Sequence, residues 1–263
     1  MTAPAAYSGT IVRGLNAGAA LLGPNISWAD RAMAHSSCIG WWRVEREPNA
    51  LITESGGRIV SFLDRKGGDG VFTQANAALR TAYDTDEIEG KQVGVATFPG
   101  PASTPFYTLS GLSVDTESPF AFFVVCKPVA AATDAAAGVL GRFTNGTTRA
   151  IISIDEPNDE VAWLLGSTLT GGQRVSITEG NRLAILAGRS ASLAKLKVNA
   201  TRAADAAIAG TSGSATISLA TLTGGGQLFN GSIDEFAIFD ADVFGSEVEY
   251  YLSRYTRACY GIG

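Results

Sequence analysis

The sequence predicts an all-β protein in which short antiparallel strands form a two-sheet sandwich or a barrel. Between Cys38 and Asp240, short runs rich in β-branched and aromatic residues alternate with clusters of Pro, Asn and Gly. Almost no segment in this region shows the 3.6-residue period of an amphipathic helix. The last residues, from Leu228 to Gly263, have the pattern of one further strand followed by a short C-terminal helix.

Residues 1–36 differ in composition from the rest, and we predict that they form an extended N-terminal attachment arm ahead of a β-sandwich domain over residues 37–263. Ala, Gly and Asn dominate residues 14–25, a composition that is also typical of a flexible tail. Only Ser27–His35 has the pattern of a short capped helix. An ordered arm of this kind needs a surface to lie against, either its own sandwich or a neighbouring subunit.

The strands of the sandwich are predicted from apolar runs of five to nine residues. In chain order they are Ile39–Val44, Arg58–Leu63, Gln92–Phe98, Pro119–Lys127, Ala150–Ile154, Val161–Leu165, Arg174–Thr178, Arg182–Ala187 and Leu193–Asn199. Phe120–Val125 is apolar at both parities, whereas a strand of an antiparallel sandwich normally has one solvated face. We therefore expect a second layer over that strand, formed by the arm, a long loop or a partner chain.

The C-terminal segment predicts a closing strand and one helix. A turn at Asn230-Gly231 leads into an aromatic and β-branched run that ends near Asp240. Ser246 and Glu249 have the spacing of a capping box, which satisfies free backbone donors at a helix start. Four residues then fall on one apolar stripe of that helix: Val248, Tyr251, Leu252 and Tyr255.

The composition limits the partners that the chain can have. Hydrophobic residues make up 46% of the 263 residues and charged residues only 17%, so part of the surface is expected to be covered in the working state. The segments 130–137 and 199–226 are rich in small residues, which suit either loose loops or tight packing between subunits. From the second interpretation we expect self-association, with a trimer as one arrangement. The net charge is −5 and no basic patch is visible, which argues against a nucleic-acid partner.

Cys38, Cys126 and Cys259 are far apart and odd in number, which disfavours a disulfide scaffold and a zinc knuckle. The N-terminus lacks the basic and apolar regions of a signal peptide. No run approaches the roughly 20 apolar residues that a membrane helix needs. We therefore expect synthesis in a reducing cytoplasm and no insertion into a membrane.

Four parts of the chain resemble the concanavalin A-like lectin/glucanase superfamily, in particular its laminin-G-like branch. Leu63–Gln74 with Ala78–Tyr83 resembles the opening pattern Trp-x-Asp-x-Ser-Gly-x-Gly, then Gln, then Arg-Pro-x-Tyr. Pro119–Pro128 resembles the central strand that ends in Lys-Pro, and Lys197–Asn199 resembles a Val-Asn-Gly hairpin. Phe229–Phe239 resembles the closing Phe-x-Gly-x-Ile-x-Glu strand.

The likeness covers residues 38–263, with departures at several positions. Phe62 or Leu63 stands for the Trp, Lys66 for the Ser, Thr81 for the Pro and Ala200 for the Gly of those patterns. The resemblance implies a two-sheet antiparallel jelly-roll sandwich. It also implies a function class, because members with the opening motif are common in bacteriophage fibres, decorations and adhesins, and in secreted glycan-binding proteins.

From this resemblance we predict a bacteriophage virion structural protein, as a capsid decoration or a fibre or tail appendage. Its predicted location is the virion, and its partners are other virion proteins, contacted through the N-terminal arm. The alternative is a carbohydrate-binding adhesin module that recognises host surface glycans, and a glycoside hydrolase or lyase is a third hypothesis. Fold does not determine function, so these expectations rest on analogy.

Few residues are available for catalysis, and we predict that the chain is not an enzyme and has no catalytic residue. His35 is the one histidine, so a Ser-His-Asp triad has a single candidate base and a multi-histidine metal site is excluded. Related glucanases carry Glu-x-Asp-x-x-Glu on one strand, which this chain lacks. The nearest carboxylates are Asp234, Glu235 and Asp240. We interpret Asp234 as a turn residue and Glu235 as a charge at a strand edge.

No cofactor is predicted, but Ca²⁺ is one candidate ligand. Four carboxylates cluster in one loop between two strands, and hard oxygen ligands of this kind suit Ca²⁺. They are Asp155, Glu156, Asp159 and Glu160. An acidic turn without a metal has the same pattern. Asp64 and Asp69 form a second candidate, although Asp64 is better explained as a side chain that binds backbone donors of its own turn.

A carbohydrate site needs exposed aromatic rings beside polar groups, and Trp41, Trp42 and Trp163 are the candidate ligand-binding residues. If Trp41 and Trp42 lie in a strand, they must point to opposite faces. We therefore expect one of them in the core and the other facing outward. The outward ring would stack on a sugar, or would meet the arm or a partner subunit.

Overall fold

The computed structural model describes residues 27–44, 51–88, 90–99, 106–129, 137–145, 148–155, 158–166, 173–210, 216–221 and 228–262. Most of the predicted arm, residues 1–26, lies outside this range, as do large parts of the two segments rich in small residues. Within the described residues there are two α-helices and 18 strands, and the all-β fold class predicted from the sequence is confirmed.

Helix α1 (Trp28–Ala34) precedes the first strand, and helix α2 (Glu247–Tyr260) follows the last. Neither helix is long and apolar enough to cross a membrane, within the described part of the chain. The strands are β1 (Cys38–Arg43), β2 (Ile52–Ser55), β3 (Arg58–Leu63), β4 (Val71–Thr73), β5 (Ala82–Ile88), β6 (Lys91–Pro99), β7 (Tyr107–Ser110), β8 (Phe120–Pro128), β9 (Ala137–Asn145), β10 (Thr148–Asp155), β11 (Glu160–Leu165), β12 (Gln173–Ser176), β13 (Leu183–Arg189), β14 (Leu193–Val198), β15 (Thr201–Arg202), β16 (Ala206–Ala207), β17 (Ser218–Leu219) and β18 (Asn230–Phe239).

The strands pair antiparallel and form two layers. The first layer begins with the order β14-β13-β8-β18. The other edge of β18 pairs with two strands: β1 along its C-terminal half and β6 along its N-terminal half. β5 then pairs with β6. The second layer has the order β2-β3-β4-β7-β17-β9-β10-β11-β12. Among the described strands, the pairing between Arg58 of β3 and Ala82 of β5 joins the two layers at one edge. An isolated bridge also joins Gly138 of β9 to Leu228, just before β18.

An inner core fills the space between the two layers. Its centre is an aromatic cluster in which the rings of Trp42 and Phe236 stack at 5.4 Å. Phe72 packs edge-on against Phe236 at 5.1 Å. At the other end of the sandwich, Phe122 packs edge-on against Trp163 at 5.9 Å. Edge-to-face and offset pairs of this kind add to the stability that burial of the rings already supplies.

An outer core lies on the far side of the first layer, where α1 and α2 cover the sheet. Phe123 and Val125 of β8 point into it, together with Leu252 of α2 and Ala32 of α1. The alternate residues of β8 belong to the inner core. The predicted second layer over this strand is therefore present, and in the described structure it consists of two helices, one of which comes from the segment predicted as an arm.

The helix ends agree with the predicted signals. The Ser27 side chain accepts a hydrogen bond from Asp30 N–H at the start of α1. At the start of α2, Ser246 Oγ accepts from Val248 N–H and Glu249 Oε2 accepts from Gly245 N–H, so the two side chains share the capping of that end. Gly261 ends α2 in the left-handed conformation, with φ of 67°.

A β-bulge in β18 decides where two carboxylates point. Ile233 pairs with Cys126 and Glu235 with Val125, so Asp234 is an extra residue on this strand. In a regular strand, adjacent side chains point to opposite faces. Because of the extra residue, Asp234 and Glu235 both have partners on the outer side of the first layer, where the helices lie: Asp234 contacts Arg182 and Glu235 contacts Tyr260 of α2.

Candidate functional site

The three tryptophans predicted to bind a ligand lie inside the protein. Trp41 and Trp42 point to opposite faces of β1, as expected, but both are 0% exposed, and Trp163 is 1% exposed. Trp42 Nε1–H donates to the carbonyl of Gly70 at 3.1 Å, and Trp163 Nε1–H to that of Gly188 at 3.0 Å. The expectation that one of the pair faces outward is wrong, because α2 covers Trp41. None of the three offers a free ring face to a sugar.

Trp41 belongs to a buried network around Glu235. Its Nε1–H donates to Glu235 Oε2 at 3.1 Å, and so does Tyr255 O–H at the same distance. Tyr260 O–H donates to Glu235 Oε1 at 2.8 Å. Burial, with a further effect of the Glu235 charge, holds the pKa values of Tyr255 and Tyr260 well above their usual range. The interpretation of Glu235 as a strand-edge charge is wrong, since β18 is a central strand and the side chain is 0% exposed.

Asp234 is also buried, and it pairs with Arg182 rather than lying in a turn. Arg182 Nε–H donates to Asp234 Oδ2 at 3.0 Å, and Arg182 Nη2 lies 3.0 Å from both Asp234 Oδ1 and Asp86 Oδ2. Lys127 Nζ contacts the same Asp86 oxygen at 3.2 Å. Burial raises the pKa of Asp234 to about 6, although Arg182 opposes the shift. Burial alone would raise the pKa of Asp86, but its hydrogen bonds and the two cations lower it.

His35 makes local contacts at the end of α1. Its Nδ1 is 2.8 Å from Ser37 Oγ and accepts the Ser37 N–H at 3.2 Å, while Nε2 is 3.7 Å from Glu247 Oε1. Serine, histidine and a carboxylate are also the residue types of a serine-hydrolase triad. Ser37 is buried, however, so its hydroxyl is not open to a substrate. The contacts connect α1 to α2.

The predicted calcium loop is held by an arginine. Arg174 Nη1 bonds to Asp155 Oδ2 and lies 2.8 Å from Glu160 Oε2, so one guanidinium bridges β10, β11 and β12. The hydrogen bonds that Arg174 donates to both carboxylates raise the pKa of its guanidinium. Asp159 occupies the turn with φ of 48°, and Glu156 lies outside the described residues. No group of three or more His, Cys, Asp or Glu side chains suited to a metal occurs in the described ranges.

Asp64 binds two backbone donors of its own turn, as the sequence predicts, and a third donor that belongs to β1. Its Oδ1 accepts from the N–H groups of Trp41 and Lys66, both at 2.9 Å, and Oδ2 accepts from Gly68 N–H at 3.0 Å. A Cβ on Gly68 would lie 2.5 Å from Oδ2. This turn therefore needs glycine there, and the carboxylate is occupied by structural bonds.

The structure shows a surface cluster of half-buried and exposed aromatic and arginine side chains that the sequence did not predict. We call it the aromatic–arginine surface and define it as Trp28, Arg31, Tyr250, Tyr251 and Arg254. Trp28 packs edge-on against Tyr250 at 5.7 Å and stacks on Tyr251 at 6.0 Å. The guanidinium carbons of Arg31 and Arg254 each lie 5.6 Å from the centre of the Trp28 ring. Tyr250 is 52% exposed.

The aromatic–arginine surface had a weak sequence signal. Trp28 and Arg31 are three residues apart in one predicted helix, and Tyr250 and Arg254 are four apart in the other. These spacings place each pair on one helix face. The sequence does not show that the two helices pack side by side, which is what brings the two pairs together.

A second candidate is an open groove beside the helices, on the same face of the first layer. We define the polar groove by the side chains of Asp84, Asp86, Thr97, Lys127 and Ser232, and its volume is about 330 Å³. Val95, Val129 and Pro99 contribute apolar atoms to its lining. The sequence contains one signal for this groove: alternation along β5 places Asp84 and Asp86 on the same face.

Comparisons with known proteins support the fold. The chain is similar to an arabinofuranosidase solved in complex with arabinofuranosyl-alpha-1,2-xylobiose (TM-score 0.64, 12% identity, 88% of this chain and 65% of that one). It is similar to the receptor binding domain of botulinum neurotoxin type G (0.55, 14%, 82% and 51%). It is also similar to Trypanosoma rangeli sialidase (0.54, 10%, 86% and 34%).

These likenesses extend over most of this chain but only part of the other proteins. The chain spans about two thirds of the arabinofuranosidase, half of the neurotoxin domain and a third of the sialidase. At such low identity they support the antiparallel β-sandwich fold and no particular activity. No family model and no curated protein sequence matches the chain.

Proposed function

We propose that this chain is a non-enzymatic structural protein of a bacteriophage particle, as a capsid decoration or as part of a fibre or tail appendage. The motif resemblance at residues 63–83 and 229–239 supports this class of protein. The proposal gives the sandwich the role of a rigid scaffold. Residues 1–26 and the aromatic–arginine surface would then contact neighbouring virion proteins.

The aromatic–arginine surface is the feature that supports a docking role most directly. Trp, Tyr and Arg are the residues most enriched at the energetic centres of protein interfaces. Here Trp28, Tyr250 and Arg254 hold one another in place by ring and cation–π contacts. A partner therefore meets side chains that have already lost much of their rotamer freedom, which lowers the entropic cost of association.

Particle composition tests the proposal. The full-length protein is expressed in cells that also produce the particle, and density-gradient fractions are analysed by quantitative mass spectrometry. We expect co-sedimentation at a fixed, high copy number relative to the major capsid protein. The ratio distinguishes a decoration from a fibre. Recovery of the protein only in the soluble fraction would contradict the virion role.

Two altered chains separate the docking elements. Tyr250→Ser with Arg254→Glu removes two exposed members of the aromatic–arginine surface, and removal of residues 1–26 tests the arm. We expect at least one of them to lower the copy number tenfold or more, since hot-spot residues each contribute about 2 kcal/mol or more. Lys91→Glu, an exposed charge reversal elsewhere, is the matched control. Full incorporation of both altered chains would contradict the assigned docking elements.

Self-association is a further part of this proposal, with a trimer as the expected form. Its support is the low content of charged residues and the two segments rich in small residues. Light scattering coupled to size exclusion measures the mass directly, and each chain contributes 27.2 kDa. A stable monomer at high concentration would contradict it.

A carbohydrate-binding adhesin module is the second candidate function, and the polar groove supports it. Hydroxyl, carboxylate and ammonium groups line one cavity in the size range of small-ligand sites. One of the similar structures was solved with a bound oligosaccharide. A glycan array probed with the labelled chain tests this candidate. Absence of binding to any glycan would remove it and would leave the virion role untouched.

A further inference from the structure

The polar groove has hydrogen-bonding groups that the fold does not use. Asp84 Oδ1 accepts the N–H of Thr85 at 2.8 Å. Among the described residues, Asp84 Oδ2 and the hydroxyls of Thr97 and Ser232 have no hydrogen-bond partner. A carboxylate oxygen accepts hydrogen bonds, and a hydroxyl both donates and accepts. The groove therefore offers unused acceptors and donors along one wall.

Two cations compensate the charge of one of the two carboxylates in the groove. Asp86 shares one oxygen between Lys127 at 3.2 Å and Arg182 at 3.0 Å, so its charge is compensated within the protein. Lys127 has three N–H donors, of which this contact uses one. Asp84 is then the uncompensated charge. A ligand carboxylate or sulfate would meet repulsion from Asp84, whereas a ligand hydroxyl would donate to it.

The groove also has apolar edges. Val129 is 47% exposed at its rim, and Pro99 is exposed beside it. The C–H groups of a sugar ring need an apolar contact of this kind, while its hydroxyls need the polar wall. These features fit a polyhydroxylated ring without a charged substituent.

We propose that the polar groove binds a neutral monosaccharide unit of a glycan, with Asp84, Lys127 and Ser232 as its hydrogen-bonding residues. This inference rests on the carbohydrate-binding candidate above and gives that candidate a site and a ligand class. The groove discriminates against uronic and sialic acids because of Asp84. It uses none of the three buried tryptophans.

Nuclear magnetic resonance titration of the ¹⁵N-labelled full-length protein tests the site. The probes are the methyl glycosides of glucose, galactose, N-acetylglucosamine and sialic acid. We expect the neutral glycosides to shift the amide signals of residues 84–86, 95–99, 127–129 and 230–232, and sialic acid to leave them unchanged. Asp84→Asn should raise the Kd about tenfold, the effect of losing one good hydrogen bond to a charged group. Glu87→Gln, on the opposite face of β5, is the control and should change the Kd less than about twofold.

The outcomes separate this inference from the function on which it rests. Preference for sialic acid, or shifts away from the groove, would overturn the groove assignment. A positive glycan array that Asp84→Asn leaves unchanged would do the same, and carbohydrate binding itself would stand. Absence of amide shifts in the titration and of binding on the array would overturn the inference together with the carbohydrate-binding candidate.

Discussion

Two adjacent carboxylates on one central strand show how strongly a single inserted residue affects the chemistry of a sheet. The bulge at Asp234 turns Asp234 and Glu235 toward the same layer. Asp234 meets Arg182, and Glu235 meets Trp41, Tyr255 and Tyr260. A buried carboxylate is stable only when donors or opposite charges compensate it, and the contacts of Asp234 and Glu235 have that structural role.

Glu235 gives the sharpest residue-scale prediction. Glu235→Ala leaves three buried donors without an acceptor, and since each unsatisfied donor costs about 1–3 kcal/mol we expect a loss of about 3–5 kcal/mol in the free energy of unfolding. Tyr260→Phe removes one donor and should cost about 1–2 kcal/mol. Urea denaturation measures both. The double variant should be less destabilised than the sum of the two, and strict additivity would contradict the shared network.

Asp234 predicts a pH dependence of stability. Burial raises its pKa to about 6, above the value of about 3.9 in an unfolded chain. Between these two pH values the folded state therefore binds more protons than the unfolded state. The stabilising contribution of Asp234 to the free energy of unfolding is full below about pH 4 and is lost as the pH rises through 6. We expect the free energy of unfolding of the native chain to fall by roughly 2–3 kcal/mol over that range relative to Asp234→Asn. Parallel pH profiles of the two proteins would contradict this.

The two helices act as a third layer that completes the sandwich. Without them, the outer faces of β8, β18 and β1 would expose a continuous apolar surface, because Phe123, Ala237 and Trp41 point there. Surfaces of that kind are rare on soluble monomers. The low content of charged residues, from which we predicted a covered surface, is thus partly explained by cover from within the chain.

Leu252 tests the helix layer. It is 3% exposed on the face of α2 that meets the sheet, and Leu252→Ala should lower the free energy of unfolding by about 2–5 kcal/mol. Arg257→Ala, an exposed change on the same helix, should stay within about 0.5 kcal/mol. Urea denaturation gives both values. Equal stability of the two variants would mean that α2 adds little to the fold.

The hairpin between β14 and β15 shows an element that local chemistry specifies. Asn199 has φ of 54°, a left-handed conformation that Asn tolerates better than most residues. Val198 pairs with Thr201 across this two-residue turn. Asn199 Oδ1 also accepts the N–H of Ala184 at 2.8 Å, which anchors the turn to β13. The predicted Val-Asn turn is therefore confirmed, with Ala200 at the second position.

At the scale of the whole molecule, the two cores share their central strands. Side chains of β8 and β18 alternate between the inner and the outer core, so neither core can form without the same sheet. We expect one cooperative thermal transition, with equal calorimetric and van't Hoff enthalpies. Leu252→Ala should move that single transition down by roughly 5–10 °C. A separate early transition for the helix layer in calorimetry would contradict this coupling.

Local patterns in the sequence were sufficient for the fold class, for the two helices and for ten of the 18 described strands. The other eight strands, among them β5 and β9, were not predicted. The helix caps Ser27 and Ser246 and the Asn199 turn depend on neighbouring residues. The apolar run of β8, which buries both faces of the strand, depends on strand alternation. The bonds of Asp64 to the N–H groups of Lys66 and Gly68 were predictable for the same reason. In each case the physical cause lies within a few residues of the signal.

Burial and pairing between distant segments depended on the tertiary structure. The sequence by itself determined that Trp41 and Trp42 face opposite ways, because alternation is local, but only the position of α2 decided that both rings are buried. The bulge at Asp234, the pairing of Asp155 and Glu160 with Arg174, and the meeting of Trp28 with Tyr250 likewise join segments far apart in sequence. Such contacts arise from the packing of whole elements, and a pattern within one element cannot specify what packs against it.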